Sequence, residues 1–199
     1  MSTAEKRRYT VEEYLEFERA SELKHEFYRG EIFAMTGASR AHNIITGNVI
    51  TALNNLLRDK DCEVYASDQR VKVTRTGLYT YPDVSVACDN PRFEKSVLET
   101  LLNPKLIVEV LSESTEAYDR GDKFTQYRSI ESLQEYMLVS QHHYQVEVYT
   151  RKETGRWELS EAQGLDSSVE LNALGCMLPL KDVYVRVDLT EAPESQTNG

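Results

Sequence analysis

The chain has 199 residues, 40% hydrophobic and 28% charged, a balance that suits one globular domain with a sizeable core. No apolar run approaches the ~20 residues of a membrane span, and Met1-Ser2-Thr3-Ala4-Glu5-Lys6-Arg7-Arg8 leads into no signal-peptide hydrophobic stretch, so a cytoplasmic protein is expected. The formal net charge of −10 argues against a general DNA binder with a basic face, yet it is compatible with a carboxylate site whose local sign a divalent cation reverses.

Thr10-Val11-Glu12-Glu13 has capping-box spacing, and Val11, Tyr14, Leu15 and Phe17 recur at helical intervals, which predicts a short helix ending near Arg19. Residues 22–35 read as two short strands around a turn at Arg29-Gly30. Glu26, on the first of them, is either a solvated carboxylate or a neighbour of a catalytic centre. Over residues 39–59, Ile44, Ile45, Val49, Leu53, Leu56 and Leu57 mark the clearest amphipathic helix, which should cover one face of a sheet. His42 falls in its first turn, where a lone histidine is ordinarily a cap or surface residue and less often a ligand.

Residues 62–66, 69–74 and 79–88 are rich in β-formers and predict three successive strands in hairpins or a meander. On the middle one Arg70 and Lys72 share a face, ordinarily a solvated one and alternatively one for phosphate contacts. In the third, alternation sets Asp83, Ser85 and Ala87 on one face and Val84 and Val86 on the other, leaving room beside the Asp83 carboxylate. Taken alone, Pro82-Asp83 is turn chemistry at a strand start. Residues 89–105 read as an irregular connection with a helical turn near 96–102. Cys62, Cys88 and Cys176 are odd in number, widely spaced and without a CxxC pattern, and are expected to be buried free thiols.

Leu106-Ile107-Val108-Glu109-Val110-Leu111 is the stretch around which the rest is organised. It reads as a buried strand interrupted by one carboxylate, and an ionised Glu109 is costly there unless paired, hydrogen-bonded or bound to a metal. A second acid at the end of another strand, Asp83, is the expected companion. Ser114 or Thr115 then caps a helix running to about Ile130, on which Asp119, Lys123 and Tyr127 fall on one stripe. In isolation Asp119 and Lys123 make a surface ion pair; beside Glu109, Lys123 is an ammonium aimed at a buried carboxylate.

Residues 134–140 predict another apolar strand, followed by His142-His143, whose opposite orientations on an extended chain are poor chelating geometry. Residues 144–150 and 157–160 predict a hairpin with Gly155 in its turn, and short strands or loops should follow at 169–171 and 177–180. A single domain over residues 1–190 is expected, with a disordered tail at 191–199.

Two acids on adjacent strand ends plus a lysine suit phosphodiester hydrolysis, the acids holding a hard cation and the ammonium neutralising charge that develops on phosphorus. At Tyr81-Pro82-Asp83-Val84-Ser85, at Leu106-Ile107-Val108-Glu109-Val110-Leu111-Ser112-Glu113-Ser114-Thr115 and at Tyr118-Asp119-Arg120-Gly121-Asp122-Lys123-Phe124-Thr125-Gln126-Tyr127 the chain resembles the PD-(D/E)XK nuclease superfamily. It resembles more closely the bacterial Uma-type family of restriction-endonuclease-like proteins, over nearly its whole length. Pro82-Asp83 matches the PD element and Glu109 the second acid; Leu111 stands where the motif usually carries lysine, and Lys123 on the next helix takes that place. The resemblance implies an α/β fold with a mixed central sheet flanked by helices and added β-hairpins. It also implies a Mg²⁺- or Mn²⁺-dependent endonuclease acting on nucleic acid, DNA by expectation, and a homodimer. Asp83 and Glu109 would be catalytic metal ligands and Lys123 the catalytic cation, with Glu26 and Asp119 as secondary members. Two other readings stay open: a nuclease-like fold that binds without cleaving, and a metal-dependent hydrolase of a small phosphoester.

Overall fold

The computed structural model describes residues 7–35, 37–95 and 98–189; the expected tail at 191–199 and part of the helical turn expected near 96–102 lie outside them. Helix α1 (Val11–Ala20) begins on the anticipated capping box, Thr10 Oγ1 accepting from Glu13 N at 3.2 Å while Glu13 Oε2 accepts from Thr10 N at 2.9 Å. Strands β1 (His25–Tyr28) and β2 (Glu31–Ala34) close on a two-residue turn. Arg29 and Gly30 there have φ of 50° and 81°, the mirror-image geometry that matches strand twist. A Cβ on Gly30 would also sit 3.0 Å from Arg8 Cβ, a tight contact that adds to the preference for glycine set by φ.

Helix α2 (Arg40–Leu56), capped by Ser39, buries Ile45, Val49, Ala52 and Leu53 on one stripe, as the periodicity requires. Next come β3 (Cys62–Ala66), β4 (Arg70–Val73), β5 (Leu78–Thr80), β6 (Val84–Cys88), β7 (Phe93–Glu94), β8 (Thr100–Leu101) and β9 (Leu106–Leu111). A helical run follows in three parts: α3 (Glu116–Tyr118), a π-helical turn (Asp119–Lys123) and α4 (Phe124–Tyr127). The chain ends in β10 (Glu135–Ser140), β11 (Gln145–Arg151), β12 (Trp157–Gln163), β13 (Ser168–Leu171), β14 (Cys176–Pro179) and α5 (Leu180–Val183).

Two six-stranded mixed sheets organise this α/β fold, ordered β2-β1-β5-β4-β8-β7 and β12-β11-β10-β9-β6-β3. In the second, β9 and β10 are parallel and the helical run is their crossover. Its faces have different cores: α2, β13, β14 and α5 cover Val84, Val86, Leu106, Val108 and Val110, whereas the helical run and the first sheet cover Ala87, Ile107 and Leu111.

Four expectations need correction. The strands over residues 62–88 are only partly local: β4 and β5 form the expected hairpin, but β3 skips both to pair with β6, and the stretch 79–88 is split between the two sheets. Pro82, with no N–H for a ladder, sits at that break. Cys62 and Cys88 are bonded as a disulfide, because the β3–β6 register sets them directly opposite; Cys176 alone is a free thiol, and half-buried. Thr100–Leu101, expected in a helical turn, is strand β8, paired with β4 and β7. Arg70 is buried, not solvated: its guanidinium lies 5.6 and 5.5 Å from the Tyr14 and Tyr79 rings and donates to Thr100 Oγ1, while Lys72 pairs with Glu94. No helix among the described residues is long and apolar enough to cross a membrane.

Candidate active site

The chain leaves the first sheet at Thr80, passes Tyr81-Pro82 and enters the second at Val84, so Asp83 stands at the junction. The β6–β9 register pairs Val84 with Val108; one step outward sets Asp83 across from Glu109. Asp83 Oδ2 accepts the backbone N–H of Val110 at 2.7 Å, and His42 Nε2 lies 3.2 Å from the same oxygen. Asp83 is therefore tied to the residue that follows Glu109.

Glu109 is 3% exposed and points to the face covered by the helical run. Its Oε1 accepts from the Tyr127 hydroxyl at 2.8 Å and lies 3.0 Å from Lys123 Nζ. The ammonium is also 3.3 Å from Asp119 Oδ1 and 3.7 Å from Glu26 Oε1, and Glu26 accepts from the Thr80 hydroxyl.

The helical run is fixed from both sides. Arg120 forks onto both oxygens of Glu147 on β11, at 2.6 and 2.8 Å, a charge-assisted bidentate contact. Phe124 stacks on Tyr136 with centroids 5.1 Å apart, and the Tyr136 hydroxyl donates to Asp119 O at 3.0 Å. The π turn buries consecutive residues, Lys123 beside Glu109 and Phe124 against Tyr136.

Burial is the largest influence on these charges. It pushes the Glu109 carboxyl up to about 8; Lys123 pulls it back down while Asp119 and Asp83 push it further up. Asp119 is raised by the same burial, against the pull of Lys123. Burial would lower the Lys123 ammonium, but Glu109, Asp119 and Glu26 outweigh it and hold the proton well beyond the ordinary lysine range.

No three His, Cys, Asp or Glu side chains among the described residues form a ready-made metal cage. What is present is a pair of hard-oxygen donors, Asp83 and Glu109. Lys123 and Tyr127 both engage Oε1 of Glu109, and both contacts of Asp83 fall on Oδ2, so each carboxylate has a second oxygen outside these interactions. That donor set fits Mg²⁺ or Mn²⁺, ions that keep several water ligands and bind through one or two carboxylates plus substrate phosphate.

Asp83, Glu109, Lys123, Asp119 and Glu26 are thus brought together, while Arg70 and Lys72 serve structural contacts elsewhere. Three further residues join the centre without having been assigned to it from the sequence. Tyr127 completes the Asp119–Lys123 stripe and was legible in that spacing; Thr80 and His42 arrive only through tertiary folding, His42 because the N-terminus of α2 meets the start of β6.

The family model described as "Putative restriction endonuclease" matches residues 11–181. Two Synechocystis (PCC 6803) proteins, "Uncharacterized protein slr1290" and "Uncharacterized protein sll1609", are 41% and 38% identical over 173 and 163 residues. Those alignments cover 87% and 82% of this chain and 90% and 92% of the relatives. A crystal structure from Anabaena variabilis ATCC 29413, of a "putative nuclease belonging to DUF820", superposes with a TM-score of 0.70 at 18% identity, covering 87% of this chain and 96% of that one. Likeness at that identity shows a shared fold. The chain belongs to the Uma2 family of restriction-endonuclease-like proteins.

Proposed function

We propose that the chain is a divalent-metal-dependent endonuclease that hydrolyses phosphodiester bonds of DNA at the Asp83–Glu109–Lys123 centre. The observation that carries this reading is the union of two juxtaposed carboxylates with a buried lysine 3.0 Å from one of them. Asp83 and Glu109 would hold Mg²⁺ or Mn²⁺, which supplies a polarised phosphoryl oxygen and an acidified water. Lys123, kept charged by three carboxylates, offsets the negative charge that builds on the phosphoryl oxygens. Tyr127 fixes the Glu109 side chain, and Val110 N with His42 fixes that of Asp83. A homodimer would present one such centre to each strand of a duplex.

The test is cleavage of plasmid and single-stranded DNA by purified protein with Mg²⁺ or Mn²⁺, beside an EDTA control and Asp83→Asn. Cleavage that needs the metal and disappears in the variant supports the reading. Cleavage that survives EDTA, or that Asp83→Asn retains, overturns it.

A further inference from the structure

An open groove of about 430 Å³ lies between the turn that joins β4 to β5 and the end of the helical run, with Trp157 of β12 on its border. Arg75 and Thr76 line it from the turn, and Thr125, Arg128 and Ser129 from the helical run. No carboxylate among the described residues lines it, so two guanidinium groups share one groove in a protein of formal net charge −10. The acidity that speaks against a general basic DNA-binding face does not hold at this place.

Both arginines have donors to offer. Arg75 is exposed and no carboxylate among the described residues pairs with it, whereas Lys72 on the adjoining strand is taken up by Glu94. Arg128 is exposed too; its guanidinium lies 5.1 Å from the Phe124 ring centroid and donates to Thr125 Oγ1 at 3.2 Å. A guanidinium carries five N–H donors in a rigid fork, so these contacts orient Arg128 and leave most of the fork open. Thr125 is exposed and accepts from Arg128, which leaves its own hydroxyl proton to donate. The other two hydroxyls are closed: Thr76 Oγ1 is buried, and Ser129 Oγ donates to Gln126 O at 2.7 Å.

Such a set of donors, two of them permanently charged, suits an anion that accepts from several directions, the pattern of backbone phosphate contacts. Both walls of the groove lead to the carboxylate–lysine centre. On the helical run Arg128 lies five residues past Lys123, about 7.5 Å along an axis rising ~1.5 Å per residue. On the other wall β5 runs from the turn to Thr80, whose hydroxyl donates to Glu26. A duplex strand advances about 3.4 Å per nucleotide, so a phosphate in the groove and one at Glu109 would be a few nucleotides apart on one strand.

We propose that this groove is a second phosphate site for the substrate backbone, in which Arg75, Arg128 and the Thr125 hydroxyl hold a phosphodiester that flanks the scissile one. The proposal rests on the phosphodiester reading above and adds a positioning contact away from the metal centre.

The test is fluorescence anisotropy of labelled duplex and single-stranded DNA across a salt series, with Ca²⁺ in place of Mg²⁺. The Arg75→Ala/Arg128→Ala double variant should bind more weakly than the parent and lower the slope of log affinity against log salt by about 1, one phosphate contact fewer. Between about 50 and about 200 mM salt the gap between the two proteins should close about threefold. Arg75→Lys/Arg128→Lys, which keeps both charges, should restore the slope. Arg58→Ala, which removes an exposed arginine just past α2, should change neither slope nor affinity.

An unchanged slope in the double alanine variant, the same loss in Arg58→Ala, or no DNA binding by the parent overturns the groove. Displacement of labelled DNA by polyglutamate as readily as by unlabelled DNA overturns phosphate recognition and points to an acidic protein partner instead. Cleavage with Mn²⁺ is read separately. Metal-dependent cleavage by the parent, with a slope that the double alanine variant leaves unchanged, overturns the groove and leaves the nuclease reading standing. A slope that depends on Arg75 and Arg128, without cleavage by the parent, supports the groove as a phosphate site and overturns the nuclease reading.

Discussion

The two faces of β9 are built from one six-residue strand and do opposite work. Leu106, Val108 and Val110 enter an apolar core with α2, where each buried side chain adds about 1.5–3 kcal/mol. On the other face Ile107 and Leu111 flank Glu109, and there burial raises the carboxyl to about 8 and brings an ammonium, a phenol and two further acids around it. Alternation along the strand thus sets Glu109 and its polar neighbours apart from the core that α2 covers. A change at Leu106, Val108 or Val110 should lower stability without touching the Glu109 cluster, and a change at Glu109 itself should do the reverse.

Glu109→Gln and Asp83→Asn should sharpen this contrast most. Cleavage is expected to fall below detection in each while circular dichroism stays that of the parent, since both replacements keep the shape and remove only charge. Glu109→Gln carries a second expectation. In the folded, metal-free protein the carboxyl keeps its proton until about pH 8, above its ordinary 4.5, so the folded state binds more protons than the unfolded one between those values. Stability should therefore fall as pH rises across that window in the parent, relative to Glu109→Gln, as read from urea midpoints. Lys123 does not cancel this, because its raised value places its own loss above the ordinary lysine range.

Lys123→Ala should lower the cleavage rate by about 10²–10³, comparable to losing one stabilising group of a transition state, with divalent-metal affinity retained in calorimetry. On the opposite face, Leu106→Ala should cost about 2–5 kcal/mol of stability in urea titration, while the folded fraction keeps its turnover. The smallest change is expected for His42→Ala. His42 touches Asp83 from α2, and losing such a supporting contact typically costs about 10-fold in metal affinity or activity; a metal titration with unchanged unfolding midpoint would check it.

The elements legible in the sequence are those specified locally. Thr10 and Glu13 announce α1, Arg29-Gly30 the first hairpin, the Ile45–Val49–Leu53 spacing α2, and Glu109 among aliphatic residues the anomaly around which the site forms. What stayed hidden depends on pairing between distant segments. Nothing near Cys62 indicates that β3 will skip to β6, so the disulfide could not be read from spacing. Arg70 looks solvated until the Tyr14 and Tyr79 rings enclose it. The site was legible to the extent that it lies on one strand and one helical stripe; His42 and Thr80 reach it only by tertiary contact.

The proposed metal centre is made by Asp83, at the entry to β6, and Glu109 on β9. The most direct test is Mn²⁺ binding followed by electron paramagnetic resonance, in the parent protein, Asp83→Asn, Glu109→Gln and Lys123→Ala. One bound Mn²⁺ in the parent and in Lys123→Ala, and none in the two acid variants, is the predicted result. Equal Mn²⁺ binding by all four proteins, or none by the parent, would contradict it.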